Sequence, residues 1–295
     1  EIELMVDSFA FEGKSIARVD GLVVFVAGGI PGDRVRARII KTKKQFAEAE
    51  ALDVLVPSHL RTQPRCKHFG TCGGCKWQHV SYQAQLDFKR QHVIDALERI
   101  GGFKNPAVHP TLGSPDEYFY RNKMEFSFGD KWLTKEELEE RKQEEAPGTS
   151  LRRFALGLHI PQRFDKVLDI DECHLQSEAS HKIVNAVRSF CLDRNLSIYS
   201  TVTHTGYLRN LVIRESKRTG ELMVNVVTSE DKPEIMQPLC SLLVAGFPSI
   251  TTIVNNITAR KSQVATGDYE KVYHGSGYIT ERIGKRTYRV SANSF

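Results

Sequence analysis

Cysteine is scarce in this 295-residue chain, six in all, yet Cys66, Cys72 and Cys75 crowd into ten positions. A small secreted fold stapled by three disulfides is excluded. At 40% hydrophobic residues the chain has the length and the core formers for two ordinary domains, and it needs no staples. Long apolar runs are missing too: nothing approaches the ~18 residues of a membrane span. The opening E-I-E-L-M is neither a charged signal-peptide start nor an initiator Met, so the chain is expected to be a cytoplasmic fragment with no membrane partner. Also lacking are an internal repeat, a Walker loop and a G-x-G-x-x-G after a strand, so no familiar nucleotide or cofactor cradle is legible.

Acidic residues are sparse in one stretch. Between Arg34 and Lys67 nine Lys/Arg stand against three acids, whereas acids collect in K-E-E-L-E-E-R-K-Q-E-E, Lys135 to Glu145. A basic first third suggests a face for a polyanion, with nucleic acid the leading candidate. The acidic stretch has helix-forming composition and ends at Pro147-Gly148; it reads as a solvated excursion without chemistry.

Residues 1–58 alternate as short twisted strands do. In R-V-R-A-R-I-I-K, Val35, Ala37 and Ile39 fall on one face and Arg34, Arg36 and Arg38 on the other, which is what a half-buried strand of period two requires. Asp20-Gly21 signals a tight hairpin and G-G-I-P-G-D breaks the next pair. Several such strands in under 60 residues predict a small all-β barrel of the OB-like kind. Its basic edge, Arg34, Arg36, Arg38, Lys41, Lys43 and Lys44, suits phosphates.

Residues 59–80 lack periodicity and hold the cysteine cluster. A helix is expected from Ser81, with Tyr82, Leu86, Val93, Leu97 and Ile100 on one face and Gly101-Gly102 as its stop. Residues 81–295 then mix strands (124–128, 154–159, 208–214, 221–228 and 250–256) with amphipathic helices (178–193 and 232–245). The fold class is multidomain: a barrel, a cysteine-rich loop and a central α+β domain.

Cys66, Cys72 and Cys75 form C-x5-C-x2-C, with Gly70, Gly73 and Gly74 interleaved. Glycines let a backbone wrap tightly and turn amides toward anionic sulfur. A tetrahedral centre needs a fourth ligand. His79 would complete a zinc site of three thiolates and one imidazole; Cys173, in an acidic turn without apolar periodicity, would complete an all-thiolate site for zinc or an iron-sulfur cluster. Cys191 and Cys240 sit among apolar helical neighbours and read as small buried hydrophobes.

Taken with these cysteines, the barrel, G-T-C-G-G-C-K-W-Q-H, Y-R-N-K-M-E-F-S-F-G, the C-H-L-Q segment and L-R-N-L-V-I-R occur in an order that resembles the iron-sulfur-containing branch of the RNA 5-methyluridine methyltransferases. The resemblance covers the whole chain and is greatest to the 23S ribosomal RNA branch. It implies a TRAM barrel over 1–58 and a loop over 59–80. A 4Fe-4S cluster would be held by Cys66, Cys72, Cys75 and Cys173, and the central domain would lead into a methyltransferase domain. Ribosomal RNA is the implied partner, with transfer RNA as second choice, and a monomer is expected. In such enzymes a thiolate adds to carbon 6 of uracil, the enolate takes the methyl group of S-adenosylmethionine, and a base removes the carbon-5 proton. The uracil must first leave its stack.

Y-R-V-S-A-N-S-F resembles the lead-in to that methyltransferase domain. The resemblance therefore puts the nucleophile, the base and the S-adenosylmethionine site beyond Phe295, leaves no catalytic residue here, and makes the fragment inactive alone. Arg121 and Lys123 resemble a basic pair facing RNA, and Arg209 and Arg214 would contact RNA or close salt bridges. Phe69, Trp77 and His79 would stack on bases or pack the loop. A non-catalytic RNA-binding module with zinc on Cys66, Cys72, Cys75 and His79 is the rival reading. A radical S-adenosylmethionine enzyme is disfavoured, since its C-x3-C-x2-C spacing is absent.

Overall fold

The computed structural model describes residues 1–133, 154–161, 163–262 and 265–294. The acidic excursion of 134–146 lies outside them. The chain forms two compact units, Glu1–Gly70 with Cys75–Glu117, and Thr71–Gly74 with Tyr118–Phe295. The boundary therefore falls after the first long helix, where the sequence reading had put a break near residue 81.

In the first unit, β1 (Ile2–Phe9), β2 (Ser15–Val19), β3 (Leu22–Ala27), β4 (Arg34–Thr42) and β5 (Phe46–Val56) close into a barrel in the order β1-β2-β3-β5-β4. Asp20 and Gly21 both take positive φ, 48° and 81°, the left-handed pair that a two-residue hairpin needs. Closure requires β3 to pair in parallel with β5, while β4 runs antiparallel to both β1 and β5. The interior is lined with small and β-branched side chains, among them Val6, Ala17, Val24, Val26, Val35, Ala37 and Ala49. Leu4 is the one larger side chain among the buried residues of this cluster, as the narrow bore of a five-stranded barrel favours small ones. The alternation read from β4 holds at Val35 and Ala37, both fully buried, but not at Ile39, which is 38% exposed. From Arg38 onward every residue of β4 is exposed, so the far end of the strand projects past the core.

A buried ion pair fixes the exit from the barrel. Asp33, 0% exposed, accepts backbone N–H bonds from Ile30 and Ser58, both at 2.8 Å, and the fork of Arg61 at 3.0 and 2.6 Å. Arg61 also donates to the carbonyl of Gly28 at 3.0 Å. The carboxylate is thus paired and hydrogen-bonded on both oxygens, the condition under which a charge is tolerated inside a protein.

Helix α1 (Tyr82–Arg99) ends as predicted, with the N–H groups of Ile100 and Gly101 both donating to Ala96 and Gly102 at φ 71°. Its predicted apolar face is a correction: Val93 is 49% and Ile100 88% exposed. Ala84 and Phe88 make the contact instead, with Phe9, Ile30, Leu60, Trp77 and Val80.

The second unit carries a seven-stranded sheet in the order β12-β11-β10-β9-β6-β7-β8. The strands are β6 (Lys123–Asp130), β7 (Phe154–Ile160), β8 (Arg163–Asp169), β9 (Leu208–Glu215), β10 (Leu222–Thr228), β11 (Ile250–Ile257) and β12 (Tyr269–His274). Helix α2 (Glu178–Asp193) and helix α3 (Pro233–Gly246) are amphipathic, and α3 makes the crossover between the parallel strands β10 and β11. Hairpin β13 (Tyr278–Ile283) and β14 (Arg286–Ser291) brings Ile279, Val290 and Ala292 onto Met223 and Val254. Every residue of β10 is buried, as a central strand covered on both faces must be. No described helix is long and apolar enough to cross a membrane.

Candidate nucleic-acid interface and cysteine loop

The predicted row of barrel cations divides in two. Arg34 is held by Glu3 at 2.8 Å and Arg36 by Asp53, both exposed pairs. Arg38, Lys41, Lys43 and Lys44 are exposed and make no ion pair among the described residues. Glu50 and Glu48 stand opposite Arg38 and Lys41 in the β4/β5 register. Four open cations on a projecting strand and its turn form a site that a phosphate backbone can reach. The two paired arginines can be released to it at small cost, because exposed ion pairs are worth ~1 kcal/mol or less.

The aromatic residues of the cysteine loop behave differently. Trp77 stacks on Phe9 at 4.8 Å and approaches Phe88 and His92, so it packs inside the first unit. His79 lies against Phe69 at 4.9 Å. Burial, reinforced by the nearby charge of Arg61, pushes His79 down to about 4, so the ring is neutral at physiological pH. Its Nδ1 is buried without a partner.

No disulfide joins any of the six cysteines. The four predicted ligands divide between the units, with Cys66 and Cys75 in the first and Cys72 and Cys173 in the second. No unit holds three. Among the described residues no group of three or more His, Cys, Asp or Glu is arranged to hold a metal ion.

Each half has identifiable supports. In the first unit the N–H of Cys66 donates to Gln78 Oε1 at 3.1 Å. In the second, the N–H of Gly73 donates to the carbonyl of His159 at 3.1 Å, pinning residues 71–74 along β7. A Cβ at Gly73 would come within 2.5 Å of that carbonyl oxygen, so glycine is required by close approach. The N–H of Gly74 donates to Cys72 Sγ at 3.4 Å, the amide-to-sulfur bond expected around an anionic thiolate. Cys173 is buried in a segment that accepts N–H bonds from Phe119 (to His174) and Arg121 (to Leu175).

Cys191 and Cys240 are packing residues. Both are buried; desolvation pushes Cys191 up to about 12 and raises Cys240, the reverse of what a nucleophile needs.

Of the second-unit cations, Arg121 and Lys123 are exposed, and Lys123 pairs with Glu125 at 3.5 Å. They rim a cavity of about 370 Å³ whose opposite wall is Gly73 and Gly74. Nothing in the sequence pattern announced this cavity, because it joins residues about fifty positions apart. Arg209 corrects an expectation. It is 2% exposed, lies over the Tyr199 ring at 4.0 Å and donates to the carbonyls of Arg260 and Ser262, so it is closed to RNA. Arg214 is also buried, donating to the carbonyls of Ala292 and Ser294.

Comparison with known proteins follows the same outline. Residues 1–52 match the TRAM domain. An uncharacterized RNA methyltransferase of Chlorobaculum tepidum is 46% identical over 298 residues, covering 100% of this chain and 61% of the relative. An uncharacterized RNA methyltransferase of Porphyromonas gingivalis is 38% identical over 294 residues, covering 98% and 62%. In fold, the chain is similar to the Pyrococcus abyssi tRNA (uracil-54, C5)-methyltransferase crystallised with S-adenosyl-L-homocysteine. The TM-score is 0.67 at 24% identity, and the match covers 100% of this chain and 60% of that one. This chain thus spans about three-fifths of the length of the curated relatives it matches, and its N-terminal barrel is a TRAM domain.

Proposed function

We propose that this chain binds and positions RNA within an S-adenosylmethionine-dependent RNA (uracil-5-)-methyltransferase. Ribosomal RNA, of the 23S type, is the proposed substrate and transfer RNA the competing one. The reading is carried by one observation: similarity to relatives named as RNA methyltransferases extends over essentially the whole chain, barrel and central unit alike. The open cations of β4 and the turn after it, Arg38, Lys41, Lys43 and Lys44, agree with it, as does the exposed pair Arg121 and Lys123.

In this reading the barrel edge neutralises backbone phosphates, which sets register without reading sequence. Methyl transfer itself draws on S-adenosylmethionine and on the whole protein, and no residue of this chain is assigned as nucleophile or base. Cys66, Cys72, Cys75 and Cys173 are proposed to hold a 4Fe-4S cluster. Thiolate addition followed by methyl transfer involves no net electron transfer, so the cluster's part is to order the loop of 59–80.

The full-length protein, incubated with methyl-labelled S-adenosylmethionine and with ribosomal or transfer RNA transcripts, is expected to label carbon 5 of a uridine in ribosomal RNA. Label confined to transfer RNA would move the substrate; label at another atom, or none in either RNA, would overturn the assignment.

A further inference from the structure

The cavity at Gly73 and Gly74 is lined by both apolar and charged groups. Leu158, the buried Leu175 and the buried Met124 give it an apolar wall, closed by the backbone of Gly73 and Gly74. Arg121, Lys123 and Glu125 form its charged rim. All of these residues belong to the second unit.

Arg121 is held by its backbone, whose N–H donates to Leu175 at 2.8 Å, and among the described residues the side-chain partner of its guanidinium is Met124 Sδ at 4.0 Å. Sulfur is a weak acceptor, so the planar fork keeps its donors for an oxyanion. Among the described residues Lys123 is tied to the exposed Glu125, a surface pair that a phosphodiester can displace. At about 370 Å³ the space falls in the range of small-ligand pockets. An anion bonded to a flat, largely apolar body with hydrogen-bonding edges satisfies both at once; that description is a nucleotide. The glycine wall adds a reason for its shape. A Cβ at Gly74 would meet Leu158 Cδ1 at 2.9 Å, which places the backbone of Gly74 directly against that leucine.

We propose that this cavity is a subsite for one unstacked nucleotide of the bound RNA, its phosphate on Arg121 and Lys123 and its base against Leu158 and Leu175. The inference rests on the RNA-binding reading above and adds to it a place where one base, away from the barrel, is taken out of the stack. Such a subsite selects single-stranded or locally melted RNA, because a paired base cannot enter it.

The test uses the full-length protein and a fluorescein-labelled single-stranded RNA, followed by anisotropy across a salt series. Leu158→Trp fills the apolar side and is expected to weaken binding about tenfold with an unchanged salt slope, as loss of a base contact does. Arg121→Gln, at an exposed position, is expected to weaken binding and reduce the slope by about 0.7, as loss of one phosphate contact does on a single strand. An abasic scan of the RNA should find one position whose base matters to the wild type and not to Leu158→Trp.

Wild-type affinity in both variants, with unchanged melting temperatures, overturns the subsite alone. Displacement of a bound fluorescent mononucleotide in the variants, with RNA affinity intact, overturns the RNA source in favour of a free nucleotide. Failure of the wild type to bind any RNA overturns the RNA reading itself. If Leu158→Trp does not fold, Arg121→Gln and the abasic scan decide the matter.

Discussion

A single carboxylate does more for the first unit than any of its surface charges. Asp33 is fully buried and gathers two backbone amides and the Arg61 fork, tying the turn before β4 to the segment after β5. Removing it leaves Arg61 without its counter-ion and two N–H groups without acceptors. Asp33→Ala is therefore expected to cost about 3–5 kcal/mol, the range for breaking one side of a buried pair. Urea unfolding of the two proteins measures it; a loss below ~1 kcal/mol would mean that the pair behaves as a surface one. Arg34→Ala, whose partner Glu3 is exposed, serves as the contrasting control. The sequence showed Asp33 only as part of a turn signal, G-G-I-P-G-D, because charge pairing between positions 33 and 61 has no periodicity to reveal it. Arg209 illustrates the converse. Its place in a strand was legible, but which face it used, and that backbone carbonyls at 260 and 262 would absorb it, was not.

At the level of elements, periodicity was a good guide wherever one face of a strand or helix is buried. The alternation in β4, the amphipathic α2 and α3, and the strands β6, β7, β9, β10 and β11 were all readable. It failed where burial is slight. β12 has four exposed residues of six and β14 likewise, so neither shows a clear apolar face, and hairpin β13/β14 and strand β8 were missed. The same rule explains Ile39, an apolar residue on a strand that has run beyond its core.

That overrun and the turn after it matter for function, because they carry four exposed cations that make no ion pair among the described residues. If Arg38, Lys41, Lys43 and Lys44 each meet a phosphate, changing all four to Ala should lower the salt dependence of single-stranded RNA binding by about 3, at roughly 0.7 per contact. Stability should barely move, since surface changes of this kind stay within ~0.5 kcal/mol. A slope unchanged in the quadruple variant would assign those cations to solvent.

For the molecule as a whole, the question is what the clustered thiols are for. Cys66 and Cys75 belong to the first unit and Cys72 and Cys173 to the second, none is in a disulfide, and a Cβ at Gly73 would come within 2.5 Å of the His159 carbonyl oxygen. The spacing marks the three clustered cysteines as candidate ligands and leaves Cys173 and His79 competing for the fourth place. His79 is a neutral ring beside Phe69, able to serve zinc, so metal and sulfide content decide between it and Cys173.

Purified without oxygen, the protein is expected to hold ~4 iron and ~4 sulfide per chain and to absorb near ~400 nm. Cys173→Ser should lose iron and sulfide together, while His79→Gln should keep them. Stoichiometric zinc without sulfide, retained in Cys173→Ser and lost in His79→Gln, would replace the cluster with the three-cysteine, one-histidine zinc site. It would also remove the main residue-level ground for the iron-sulfur branch, leaving RNA binding to rest on the TRAM barrel and the similarity of the whole chain to its relatives.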